Sequence, residues 1–277
     1  ARRDRKDRHL AAARFFESLG SDELAGALAG HYLSAHANAA EGPEADALAA
    51  QARIALRGAA ERASALGSYQ QAAQLLRQAL TVTTHPADRA ELQERLGVAL
   101  LPTGAYAEWV ATLREAQETL TAGGDRVAAA RATRALGEAL IYAKLMDEAV
   151  AVLETGVAAY DDLPVAIVRL EMKAQLARAY LLSDLDRKAA ALCDEVLLEA
   201  ERGDHRAILA DVLVTKGTAL GYMGRIVEGA AIVQLGGRLA EASGMLNARF
   251  RALNNELVII GDSEPRRAYE ATLDGME

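Results

Sequence analysis

The chain has 277 residues, 51% of them hydrophobic but only 4% aromatic, with 25% charged and a formal net charge of −8. The acidic balance repels phosphate backbones and disfavours nucleic-acid binding through the body of the protein. No run of about 18 apolar residues is present, so no membrane partner is expected, and a single cysteine, Cys193, excludes an internal disulfide and suits a reducing cytoplasm.

The apolar fraction is mostly Ala and Leu, which lose little on entering a helix. Five prolines (Pro43, Pro86, Pro102, Pro164, Pro265) leave room for long helices and fall at or near the expected breaks. At the start, Arg2, Arg3, Arg5, Lys6 and Arg8 alternate with Asp4 and Asp7, which predicts a solvated first helical turn. The chain opens without Met and inside a helical pattern, as expected of a piece of something longer. The patterning predicts helices over 8–19, 22–39, 44–66, 69–83, 87–102, 105–122 and 125–143. Further helices are predicted over 147–160, 164–182, 186–202, 205–222, 226–243, 245–260 and 265–274. Gly42-Pro43 and Gly244 mark breaks, and Gly124-Asp125 and Gly203-Asp204 each read as a left-handed stop followed by an N-cap. Pro86 and Pro164 suit first helical turns, where a missing N–H costs nothing.

Within this series a two-part phrase recurs. Small-residue pairs ending at Ala60, Gly97, Gly137, Ala177 and Gly217 lie 37, 40, 40 and 40 residues apart. Each is followed by a turn and then by a small or aromatic residue in the next helix: Gly67, Tyr69 and Ala72; Gly104, Tyr106 and Trp109; Met146 and Ala149; Asp186 and Ala189; Gly224, Ile226 and Gly229. A sixth, weaker unit runs from Phe250 through Gly261 to Ala268. Small residues let two antiparallel helices approach, while Leu100, Leu140, Tyr180 and Leu220 fill the space between successive hairpins. Such hairpins bury their apolar faces only by stacking. The expected fold is all-α: a right-handed α-α superhelix of about six hairpins with a 40-residue period. Residues 1–43 are expected to form a helical segment adjoining an upstream module, and 44–277 the repeat array.

The phrase resembles the tetratricopeptide pattern over roughly 53–274, with a period longer than the usual ~34 residues. The long period looks like the repeats attached to large bacterial signalling ATPases. Arg8-His9-Leu10-Ala11-Ala12-Ala13-Arg14-Phe15-Phe16-Glu17, Glu23-Leu24-Ala25, His31-Tyr32-Leu33 and Glu41-Gly42-Pro43-Glu44-Ala45-Asp46-Ala47-Leu48 are similar to segments of multidomain bacterial proteins. There a class III adenylate/guanylate cyclase or a DNA-binding domain precedes an ATPase module and a C-terminal helical repeat. The resemblance implies a non-catalytic, cytoplasmic sensing or scaffolding region that binds a protein or peptide and contacts upstream ATPase or cyclase domains. It equally allows the regulatory repeat of a transcriptional regulator, or an architectural arm that dimerises through apolar surface around 245–260. No phosphate-binding loop is present: Thr215-Lys216-Gly217-Thr218 lacks the leading glycines.

Candidate chemistry is sparse, and no catalytic, metal or cofactor residue is assigned. His9, His31, His36, His85 and His205 are scattered, and the five-residue gap between His31 and His36 is wrong for a zinc pair on one helix face. His31-Tyr32 reads as a packing or hydrogen-bonding pair. Cys193 falls inward, where a thiol is inert, and Trp109 reads as core.

The resemblance implies a concave surface lined by the first helix of each hairpin. That mapping selects Arg57 and Glu61, Glu91 and Glu94, then Arg131, Arg134, Glu138 and Tyr142. It continues with Glu171 and Arg178, Asp211 and Tyr222, and Arg251 and Asn255. These charges either pair with one another or grip an extended peptide, with Arg131, Arg134 and Arg178 suited to a carboxylate or phosphate. The Lys/Asn clamp by which some relatives hold acidic chaperone tails is absent.

Overall fold

The computed structural model describes residues 2–20 and 24–261. Among them are thirteen α-helices and no strand. They are α1 (Arg2–Leu19), α2 (Ala25–Asn38), α3 (Pro43–Ala65), α4 (Tyr69–Thr81), α5 (Pro86–Leu100), α6 (Tyr106–Ala122) and α7 (Arg126–Tyr142). Then follow α8 (Met146–Tyr160), α9 (Ala166–Leu182), α10 (Asp186–Arg202), α11 (Arg206–Tyr222), α12 (Ile226–Ala242) and α13 (Leu246–Gly261). The helix expected over 265–274 and the end of the sixth repeat lie outside the described residues. No described helix is long and apolar enough to cross a membrane. The chain divides into two compact units after Ala132, within α7.

In the first unit the basic start is exposed at Arg2, Arg3, Arg5 and Arg8, as the sequence reading expects, and only Lys6 among its charged residues is half-buried. The helix begins at Arg2, six residues earlier than the pattern predicts. Arg2 Nη2 donates to the carbonyl of Ala37 at 3.1 Å, and Lys6 Nζ meets Glu44 Oε1 at 2.6 Å with its side chain only 13% exposed. Asp4 and Arg8 add an i,i+4 pair at 3.1 Å. Beneath these, Ala13, Tyr32, Ala35, Leu48 and Ala52 form one buried cluster joining α1, α2 and α3. Further along, Trp109 of α6 is buried against the bare backbone of Gly97 in α5. A Cβ at Gly97 would lie 2.0 Å from the indole Nε1, so only glycine admits this ring.

The second unit shows why small residues recur. A Cβ on Gly137 would meet Leu153 Cδ2 at 2.5 Å. Gly217 and Gly229 face each other across α11 and α12, where a Cβ on Gly229 would meet the carbonyl oxygen of Gly217 at 2.5 Å. α11 touches α9, α10, α12 and α13. It is accordingly buried nearly all round, from Ile208 to Gly221. Ala72, Ala149 and Ala189, the expected small partners in second helices, are fully buried.

Left-handed residues end the helices on a beat of half the repeat. Gly104, Gly124, Lys144, Asp184, Asp204, Gly224 and Gly244 all have φ between 51 and 85°. Each stands 20 residues from the next, apart from the gap between Lys144 and Asp184. Pro164 occupies the missing place, and its ring forbids a positive φ. The chain turns there by a Leu163 N–H to Tyr160 carbonyl bond of 3.2 Å, with Arg169 donating to the Leu163 carbonyl. So α9 starts at Ala166, two residues after the expected first turn at Pro164.

The Gly124-Asp125 stop and cap holds, since Asp125 Oδ1 accepts the Ala128 N–H at 3.0 Å. Gly203-Asp204 does not follow suit. Asp204 itself takes the left-handed place at φ 51°, and its carboxylate accepts from Arg206 Nε. A Cβ on Gly203 would lie 2.6 Å from the His205 ring.

Candidate functional site

The odd-numbered helices carry the charged positions picked out above, and the two units treat them differently. In the first unit α3 and α5 close their charges into a ladder. Arg57 reaches Glu91 at 3.4 Å and Glu61 at 3.9 Å, while Arg95 reaches Glu61 at 2.5 Å and Glu91 at 3.0 Å. Arg53 pairs with Asp88 beside them. Glu94 is exposed on α5, and Arg131 is exposed on the part of α7 belonging to this unit.

In the second unit α7, α9, α11 and α13 converge on a cavity of about 690 Å³. Arg134, Glu138 and Tyr142 reach it from α7, Gln175 and Arg178 from α9, Asp211 from α11 and Arg251 from α13. Spacings of three and four residues place each helix's contributors on one face. The turn into α13 supplies the remaining wall through Gly244, Met245, Leu246, Asn247 and Ala248. Tyr222 is 52% exposed at the end of α11 and Asn255 Nδ2 donates to Thr218 Oγ1 at 2.9 Å, and neither lines the cavity.

Two arginines there are held by carboxylates. Arg251 Nη2 donates to Asp211 Oδ1 at 2.6 Å and to the Asp211 carbonyl at 2.8 Å. Burial pushes its pKa down, against the opposing pull of Asp211, but a guanidinium keeps its proton at any working pH. Arg134 lies 3.3 Å from Glu138 and 3.9 Å from Glu171.

Arg178 differs. It makes no ion pair among the described residues, and its guanidinium lies over the Tyr142 ring, 5.5 Å from the centroid. Three residues earlier on α9, Gln175 is 8% exposed and its buried Nε2 has no hydrogen-bond partner among the described residues. Arg178 is thus the one guanidinium of the lining without a carboxylate partner among the described residues.

Sequence mapping did not select Gln175, Gly244, Met245, Leu246, Asn247 or Ala248. For Gln175 a signal exists: it interrupts the apolar run Ala174, Leu176, Ala177, where an amide is expensive unless it is used. The α13 start carries no comparable signal, because its part in the wall depends on how α13 packs.

The remaining candidates have structural roles. Cys193 is fully buried in a cluster with Leu170, Ala177, Val196 and Val212. Burial pushes its thiol up to about 12, far from the range of a nucleophile. His31 sits with its Nδ1 3.1 Å from that of His9 and stacks on Phe16, while Tyr32 donates to Glu17 Oε2 at 3.1 Å. Both residues thus contact α1. No group of three His, Cys, Asp or Glu side chains that could hold a metal occurs among the described residues.

No family model matches the chain, and no curated protein matches it. Solved structures do. A signal transduction ATPase with numerous domains and a tetratricopeptide repeat sensor, from Pyrococcus horikoshii, matches at TM-score 0.61 and 12% identity. The match covers 98% of this chain and 46% of that one. PlcR of Bacillus thuringiensis, in complex with the peptide PapR7 and DNA, matches at TM-score 0.59 and 11% identity, covering 82% and 90%. The Rap conjugation gene regulator of plasmid pLS20, in complex with a Phr peptide, matches at TM-score 0.59 and 14% identity, covering 85% and 67%. At these identities the likeness establishes the fold, an all-α repeat of the tetratricopeptide-like class.

Proposed function

We propose that this chain is a non-catalytic repeat module that holds a peptide segment of a partner where α7, α9, α11 and α13 converge. In this reading it is the sensing part of a signalling ATPase. The observation that carries it is the contrast between the units. Arg53, Arg57 and Glu61 of α3 pair with Asp88, Glu91 and Arg95 of α5, whereas Gln175 and Arg178 border a 690 Å³ cavity without a hydrogen-bonding or ionic partner among the described residues. A buried donor left unbonded costs about 1–3 kcal/mol, which a ligand would recover.

The likeness to an ATPase bearing a repeat sensor supports the parent class, and the likeness to two peptide-bound regulators supports the ligand class. The cyclase parent draws no such support. A second reading, the regulatory repeat of a transcriptional regulator, is favoured by the PlcR likeness and would use the same cavity. Either way the module has no turnover of its own, and its single thiol is held unreactive by burial.

Selection of a displayed peptide library on the purified chain tests this. Enriched peptides should bind the wild-type chain and lose at least about tenfold in affinity on Asn247→Trp, which obstructs the cavity from an exposed position. Enrichment of nothing, or of peptides indifferent to that change, would count against it.

A further inference from the structure

Resting on that reading, we infer that Arg178 and Gln175 anchor one carboxylate of the bound peptide, making the cavity a monoanion site. The two side chains stand one helical turn apart on the same face of α9. The Arg178 guanidinium lies over the Tyr142 ring, 5.5 Å from its centroid, and makes no ion pair among the described residues, so its N–H groups are left for an acceptor. A carboxylate meets a guanidinium edge with two parallel hydrogen bonds. Gln175 Nε2, buried and without a partner among the described residues, supplies a further donor.

The charge balance decides which anion fits. Arg251 is committed to Asp211 and Arg134 lies between Glu138 and Glu171, so Arg178 is the one guanidinium of the lining without a carboxylate partner among the described residues, and one carboxylate satisfies it. A doubly charged phosphate would leave excess negative charge close to Asp211 and Glu138. The first turn of the 16-residue α13 also faces the cavity, and the positive end of its dipole favours an anion there. Met245, Leu246 and Ala248 add an apolar wall for the side chain next to the carboxylate.

The carboxylate can be a chain terminus or an acidic side chain, and small probes distinguish them. N-acetyl-Ala-Leu with a free carboxyl, its amide, N-acetyl-aspartic acid amide and inorganic phosphate would each be titrated into the full chain. The readout is the NMR signal of the arginine Nε–Hε groups, with Arg178 assigned from the Arg178→Met variant. At least one carboxylate probe should shift the Arg178 signal saturably, the tighter of the two naming the source. The amide should bind about tenfold or more weaker than its free acid, as should the acid to Arg178→Met and Gln175→Leu. Arg178→Lys keeps the charge but not the fork, and should recover only part of the binding; thermal melts of all variants verify the fold.

Equal binding of acid and amide, tighter binding of phosphate, or unchanged binding by Arg178→Met would overturn the inference. Library peptides that bind through the cavity yet ignore Arg178→Met would sink this inference alone. Carboxylate probes that bind at Arg178 while no peptide is ever selected would sink the peptide reading alone.

Discussion

Arg251 and Asp211 stand one 40-residue period apart and are joined twice, guanidinium to carboxylate and guanidinium to carbonyl. The repeat therefore has a polar tie as well as an apolar one, linking α11 to α13 beside the cavity. Arg251→Met removes both bonds and leaves Asp211 without its counterion. The expected cost is about 3 kcal/mol, read from urea denaturation. Adding Asp211→Asn should restore part of that loss, since the stranded charge goes with it. Equal stability of Arg251→Met and wild type would mean the pair is incidental.

Helical glycines offer a matched pair of opposite sign. Gly229→Ala drives a methyl into the carbonyl oxygen of Gly217 and the amide nitrogen of Gly221, backbone atoms that cannot rotate away. The α11–α12 hairpin must open, at about 1–3 kcal/mol. Gly58→Ala, within α3, meets nothing within 4 Å and should instead stabilise the chain by up to about 1 kcal/mol. Melting temperatures of the two variants check both signs.

Cys193 predicts a pH dependence. Its folded pKa is about 12 against an ordinary 9.0, because burial resists the thiolate. A raised folded value means the contribution is whole below about pH 9 and declines as pH climbs toward 12, where the unfolded chain sheds the proton first. Cys193→Ala should remove that part of the decline when stability is followed from about pH 8 to 10. In the native chain a thiol reagent at pH 8 should label Cys193 only after denaturant is added.

The ladder in the first unit should prove nearly silent. Glu61→Gln deletes contacts to Arg57 and Arg95, yet these side chains are half exposed and Glu91 still serves both arginines. A change under about 1 kcal/mol is expected, with peptide binding unaltered by isothermal titration. A loss of peptide affinity would move the site to α3 and α5.

What could be read in the sequence was whatever is written locally. Gly124 and Asp125 announce a stop and a cap by residue type alone, and the spacing of Gly97, Gly137 and Gly217 marks close helix approaches because only small side chains fit there. The misreadings involve partners far along the chain or a competition between neighbours. Lys6 is ordered by Glu44, 38 residues away, which no periodicity reveals. Asp204, and not the Gly203 beside it, takes the left-handed position. For the candidate site, the resemblance to tetratricopeptide repeats, laid on the 40-residue register, located Arg134, Glu138, Tyr142, Arg178 and Arg251 on the odd-numbered helices. Which arginine keeps an open edge depends on where Glu171, Asp211 and Gln175 come to rest, and that is settled by packing.

Hydrogen exchange measured on the chain with and without a saturating library-selected peptide reports where the peptide lies. Slowed exchange is expected in α7, α9, α11 and the first turns of α13, around Arg178 and Leu246, with α3 and α5 unchanged. Protection confined to α3 and α5, or to the even-numbered helices α8, α10 and α12, would contradict binding at the cavity.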